Sequence, residues 1–300
     1  MFLFYLLMWG PLALAACIAL VLRLTLLRGA PRLGTRDAVL AAVAGGIPVV
    51  VTAAPLPGDF GLGPVLWWDV GTRAALPLIV GILGVVLLSF PPRSTSMNAS
   101  AQLVPRTLRT FLRPSRPIVL GALVVLAVIL ALAAGAASET DDLGHHTLFS
   151  ITLGTSGTAA SSGIYGWYYS LPSLALLAAL LVVATIAWLR IPRPAWGDDV
   201  DLDTAIRRLR AANITRIACA AVLLHLAVVF NSLRGTASMM LSAQAGTIGT
   251  VSLGTPFAAM GPALFVAWAI ATVAGLALCL ITVLSGVPMG ARKTTPALAS

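Results

Sequence analysis

The hexapeptide "DDLGHH", Asp141 to His146, is the one place in this chain where carboxylates and imidazoles stand together. On a helix, Asp141 and His145 would share a face, as would Asp142 and His146, a mixed oxygen and nitrogen set of the kind that zinc or copper takes. Gly144 weakens a helix there, and no third cluster supplies further ligands. The segment therefore reads first as a solvated loop, with Asp141, Asp142, His145 and His146 as its metal candidates.

A second group of carboxylates opens "DDVDLDTAIRRLR", Asp198 to Arg210. Acids in front, arginines behind and Asp203 four residues before Arg207 describe a short cytoplasmic helix whose ends complement its dipole. The acids also resemble the clusters with which prenyl-transferring membrane enzymes hold magnesium and diphosphate. That chemistry needs a second acidic cluster opposite the first, and the sequence has none. Lys293 is the only lysine, so there is no Schiff-base lysine within an apolar run and no phosphate-cradling loop ending in Gly-Lys-Ser/Thr. Cys17, Cys219 and Cys279 fall in apolar runs and read as small core residues. "LAAC", Leu14 to Cys17, resembles a lipoprotein cleavage box, but no basic stretch precedes it and the apolar run continues to Leu22. No catalytic residue and no cofactor is assigned, and the reading leans away from an enzyme.

The elements that must position these groups are greasy. Of 300 residues, 59% are hydrophobic and 10% charged, whereas soluble domains are roughly a quarter charged. Mean hydropathy is +0.97. Apolar runs of roughly 20 residues, enough to cross about 30 Å of hydrocarbon as helix, recur along the chain. Lipid offers no partner for an open strand edge, and the alternation of a barrel is absent. The expected fold is an all-α integral membrane protein, residues 1–300 forming one polytopic domain with about seven transmembrane helices. The expected spans are Phe2 to Leu27, Ala38 to Ala54, Ala74 to Phe90, Pro117 to Ala137, Ser173 to Leu189, Ile214 to Leu233 and Pro262 to Leu284.

A net charge of +9 could suggest nucleic acid, but the basic residues sit in short segments between spans, with no basic-aromatic surface module. They set orientation instead. All but Arg73 and Arg234 follow odd-numbered spans, and the positive-inside rule makes that side cytoplasmic. The N-terminus is expected outside and the C-terminus in the cytoplasm, in a bacterial-type plasma membrane. "DDLGHH" then faces outward.

Residues 103–190 and 204–288 read as parallel repeats of a helix pair, with 28–90 a degraded third copy. "ITLGT" at Ile151 to Thr155 and "VSLGT" at Val251 to Thr255 mark the correspondence, as do "RTLR" at Arg106 and "RRLR" at Arg207. Small residues four apart, Ala41 and Gly45, Ala42 and Gly46, Ala127 with Ala131 and Gly135, and Ala267 with Ala271 and Gly275, read as seams between helices. The uncharged outer stretches Thr147 to Pro172 and Gly235 to Gly261 could fold back as a hydroxyl-lined vestibule or form ligand-free caps.

Intramembrane polar groups are costly and mark function by default. His225, Asn231 and Ser232, with Thr155 and Thr255 of the outer loops, are therefore the transport-pathway candidates. A neutral imidazole bonded to a neighbouring helix would equally explain His225. Trp67, Trp68, Asp69 and Arg73 form an outer-loop ligand candidate, with interfacial anchoring as the plainer reading of the tryptophans. Arg106, Arg109, Arg113, Arg207, Arg208 and Arg210 lie on two inner amphipathic helices suited to membrane lipid or to a partner subunit. Three functions follow in order: a membrane subunit of a transporter or exporter working with a separate energising protein such as an ATPase; an accessory, sensory or assembly subunit; and a membrane enzyme acting on lipid-linked substrate.

Overall fold

A computed structural model describes residues 2–53, 70–90, 107–153, 158–193, 199–244 and 250–287. Trp67, Trp68, Asp69, Arg106, Thr155 and Asp198 lie outside them. Each expected apolar run is helical: α1 (Phe2–Leu26), α2 (Thr35–Ala53), α3 (Val70–Ser89), α5 (Ser115–Ala136), α6 (Trp167–Arg190), α7 (Val200–Ala237) and α8 (Gly261–Ser285), with a single turn α4 (Leu108–Phe111) before α5. Six of these helices are long and apolar enough to cross a membrane, and α1 adds the apolar stretch Trp9–Thr25. Leu83, Ile118, Val125, Ile129, Val182 and Ile270 all point away from the protein interior. A water-soluble fold would not leave so broad an apolar surface uncovered.

The spans pack around α7, which touches α8, α3, α5 and α6. In its most apolar part 83% of residues are buried, against 28% in α5, and that difference makes α7 the central helix. Close approach is achieved with small residues, because within lipid packing rather than water exclusion holds helices together. A Cβ on Gly81 would collide with the Cβ of Ala221, and one on Gly275 would come within 2.8 Å of Leu224. Gly45 would meet the Cys279 carbonyl at 2.5 Å, and Gly135 the Trp167 ring at 2.5 Å. Three of the expected seams are thus real contacts, α2 on α8, α5 on α6 and α8 on α7, whereas Ala42 is exposed and nothing lies within 4 Å of a Cβ on Gly46, so that pair is no seam among the described residues.

The short cytoplasmic helix expected before the sixth span does not exist as a separate element. Asp199 caps a 38-residue helix, its carboxylate accepting from the Leu202 N–H at 3.0 Å, and no Gly or Pro interrupts it before Gly235. At about 1.5 Å per residue it runs about 57 Å, well beyond a hydrocarbon core of about 30 Å. Hydropathy falls at Thr204 to Ala212, but helix propensity does not.

The chain is mostly helical, as expected, and the segments that follow α5 and α7 add short strands. β1 (Glu139–Thr140), β2 (His146–Leu153) and β3 (Thr158–Gly163) form one antiparallel sheet, and β4 (Met240–Gln244) pairs with β5 (Thr250–Gly254). Phe149 faces Ser162 in the first, Ser242 faces Ser252 in the second. The two hairpins touch, and the Thr236 hydroxyl donates to the Gly163 carbonyl at 2.9 Å. Helix–hairpin–helix therefore occurs twice, α5 to α6 and α7 to α8. Of the two matching segments, Ile151 to Leu153 end strand β2 on the way into its hairpin, whereas Val251 to Gly254 lie in β5 on the way out.

Candidate functional site

Hairpins close one end of the bundle and arginines the other. At the arginine end, guanidiniums bind helix carbonyls left without partners by the last turn. Arg207 is buried, 4% exposed; it forks onto Asp203 and donates to Ile191 O, the C-terminal cap of α6, at 2.9 Å. Arg210 donates to Leu88 O and Phe90 O at the end of α3, and Arg23 to Leu27 O and Val287 O beyond α1 and α8. Arg207, expected as a docking residue, is therefore an internal clamp. Arg109, Arg113 and Arg208 remain exposed, Arg208 donating to Thr110 O at 3.1 Å.

"DDLGHH" is the turn between β1 and β2, not a helix. One Asp141 carboxylate oxygen accepts from the N–H groups of Leu143 (2.9 Å) and His145 (2.8 Å), the other from the Thr147 hydroxyl (2.9 Å). Gly144 takes φ +79° to close the loop, a conformation glycine adopts without strain. The His145 N–H, then the Thr147 hydroxyl and Leu143 N–H, hold the Asp141 carboxyl below the ordinary carboxylate range. His145 stacks on Tyr168, ring centroids 4.2 Å apart, while His146 Nδ1 meets Ser138 O at 3.2 Å. The expected metal set does not assemble, because Asp141 spends its oxygens on the turn and the two imidazoles part. Among the described residues no three His, Cys, Asp or Glu side chains come together to hold a metal.

A more coherent site lies at the hairpin end between α2, α3, α7 and α8. Leu224, Ala227, Val228 and Asn231 fall on one face of α7 at helical spacing, Arg73 and Pro77 on one face of α3, Trp268 and Thr272 on one face of α8. With Ser232 and Thr52 they line a cavity of about 320 Å³. Its walls are mostly apolar, with one guanidinium, one amide and three hydroxyls. Thr52 and Thr272 donate back to Pro48 O (2.6 Å) and Trp268 O (2.8 Å), so their oxygens offer lone pairs to the cavity. Arg234 lies over Phe265 and Trp268, 5.4 and 5.8 Å from their centroids. An amphipathic solute with an acceptor group matches this lining.

Two of the five pathway candidates, Asn231 and Ser232, thus meet Arg73 in one cavity. His225 does not join them. It is 1% exposed, its Nδ1 is 2.9 Å from Ala74 O, and Tyr165 sits edge-on to its ring at 5.9 Å. Thr255 is buried and donates to Ala237 O at 3.2 Å. Tyr165 was not legible as part of this packing. Only its flanking glycines mark it, and burial pushes its phenol up to about 12, the Ser173 hydroxyl opposing.

No protein-family model, curated protein or solved structure matches this chain.

Proposed function

We propose that this chain is the membrane-embedded subunit of a transporter, receiving an amphipathic solute in the cavity between α2, α3, α7 and α8. One observation carries the reading: α7 lines open cavities at both of its ends while its middle is packed shut. Toward the hairpins it presents Leu224 to Ser232; toward the arginines it presents Arg208 to Arg216. Between them Ile217 and Ala221 press on Gly84 and Gly81. Two cavities on one central helix, with small-residue contacts between them, suit alternating access, because little side-chain volume must move for helices to slide. The arginine end is the cytoplasmic one in this proposal, with the N-terminus outside and a bacterial-type plasma membrane as the site of action. Energy comes from a separate protein such as an ATPase, for the chain has no phosphate-cradling loop of its own.

Cysteine accessibility tests it. In a Cys17→Ser background, Ser232→Cys and Asn231→Cys are exposed to a membrane-impermeant maleimide from the hairpin side, with cells energised and de-energised. Transport requires labelling that changes with energy state. Labelling identical in both states overturns it in favour of the second reading, an accessory subunit, which the sealed contacts of His225 and Gly81 favour.

A further inference from the structure

At the arginine end, a cavity of about 860 Å³ opens between the turn after α1, α4, the start of α5 and α7. Arg109, Arg113, Arg116, Arg208 and Arg216 all line it, and no carboxylate does among the described residues. Asp203, the nearest acid along α7, is already held by Arg207. Arg113 and Arg116 repel one another, as do Arg116 and Arg216. Such a gathering of like charges in a partly desolvated site calls for a counter-anion.

Bonds among the described residues leave most of these donors unused. Arg216 Nη1 donates to Asn213 Oδ1 at 2.7 Å and Arg208 Nε to Thr110 O at 3.1 Å. Arg116 Nη1 is buried with no acceptor among the described residues. A guanidinium presents five N–H groups in a planar fork that matches phosphate oxygens. Apart from Thr110 the rest of the lining, Leu27, Phe111, Leu209 and Ala212 among it, is apolar, and α5 exposes Ile118 and Val119 just after Arg116. A ligand with phosphate at one end and hydrocarbon at the other satisfies both halves.

We propose that this cavity binds the phosphate ester of an anionic membrane lipid, with Arg116 and Arg216 deepest on the headgroup and Arg109, Arg113 and Arg208 closing around it. This site does not depend on the transport reading. The test uses the full chain purified in mild detergent and returned to nanodiscs of phosphatidylcholine with phosphatidylglycerol. Native mass spectrometry of the released protein counts retained lipid. Wild type retains phosphatidylglycerol over phosphatidylcholine; Arg116→Gln weakens retention by about tenfold, the size expected for a charge-assisted bond. Arg32→Gln, an exposed loop arginine outside the cavity, leaves it unchanged. Arg113→Gln, also exposed, serves where Arg116→Gln fails to fold, and it too lowers retention. Equal retention of both lipids, or equal loss in Arg32→Gln, overturns the site. Displacement of the lipid by inorganic phosphate at comparable concentration overturns the lipid assignment, since a free anion would then suffice.

Discussion

Among single residues, Asp141 carries the clearest physical consequence. Its carboxylate closes a turn through three donors, and the folded state lowers its pKa. A carboxyl depressed in this way adds stability that is fully present above its unfolded value, about 3.9, and lost as pH falls through the lower folded value. The β1–β2 hairpin should therefore loosen only in acid, below about pH 4, while the helices stay intact. Hydrogen exchange at the Leu143 and His145 amides reads this directly. Asp141→Asn should make the turn looser at neutral pH and remove the acid transition, and a transition that survives in Asp141→Asn would sink the assignment. The sequence showed that Asp141 and the histidines were neighbours but not what Asp141 does. A carboxylate followed by Gly144 suits an Asx-type turn as well as a ligand set, and the donors that decide between them are backbone groups.

Helices were legible because their cause is local: long apolar runs must satisfy their own backbone in lipid. The hairpins were not, since Gly, Ser, Thr and Ala in uncharged stretches carry no alternation that separates a short strand from a loop. Nor was the length of α7, because a drop in hydropathy marks the edge of the bilayer, not of the helix. Seams were half legible. Ala271 and Gly275 announced themselves by spacing, whereas Gly81 has no small partner four residues away on its own helix. Its role is set by Ala221 on another helix. Gly81→Ala should cost about 1–3 kcal/mol, the usual penalty for overpacking. Gly121→Ala, where nothing lies within 4 Å, should be neutral or gain up to about 1 kcal/mol in helix propensity. Thermal melting in detergent, followed by helical signal, separates them; equal midpoints would show that α3 and α7 do not meet as closely as drawn.

For the molecule as a whole, the two ends differ in chemistry more than in shape. The hairpin end carries Glu139, Asp141 and Asp142 with Arg73 and Arg234, while the other gathers Arg23, Arg109, Arg113, Arg116, Arg190, Arg193, Arg207, Arg208, Arg210 and Arg216. The count of arginines was legible from the order of the spans, but their convergence was not, because Arg116 and Arg216 meet only once α5 and α7 are packed. A charge bias of this size is expected to keep the arginine end in the cytoplasm, since basic segments resist translocation. With Cys17→Ser as background, Leu143→Cys at the exposed hairpin turn should react with an impermeant maleimide in intact cells. Asp201→Cys, exposed at the start of α7, should react only after the membrane is opened. Cys219 and Cys279 are buried and should stay silent in both. The reverse pattern would place the arginines outside, removing the cytoplasmic leaflet as the source of the anionic headgroup and turning the solute cavity toward the cell interior. Labelling of both sites in intact cells would mean that the helices do not divide two compartments at all.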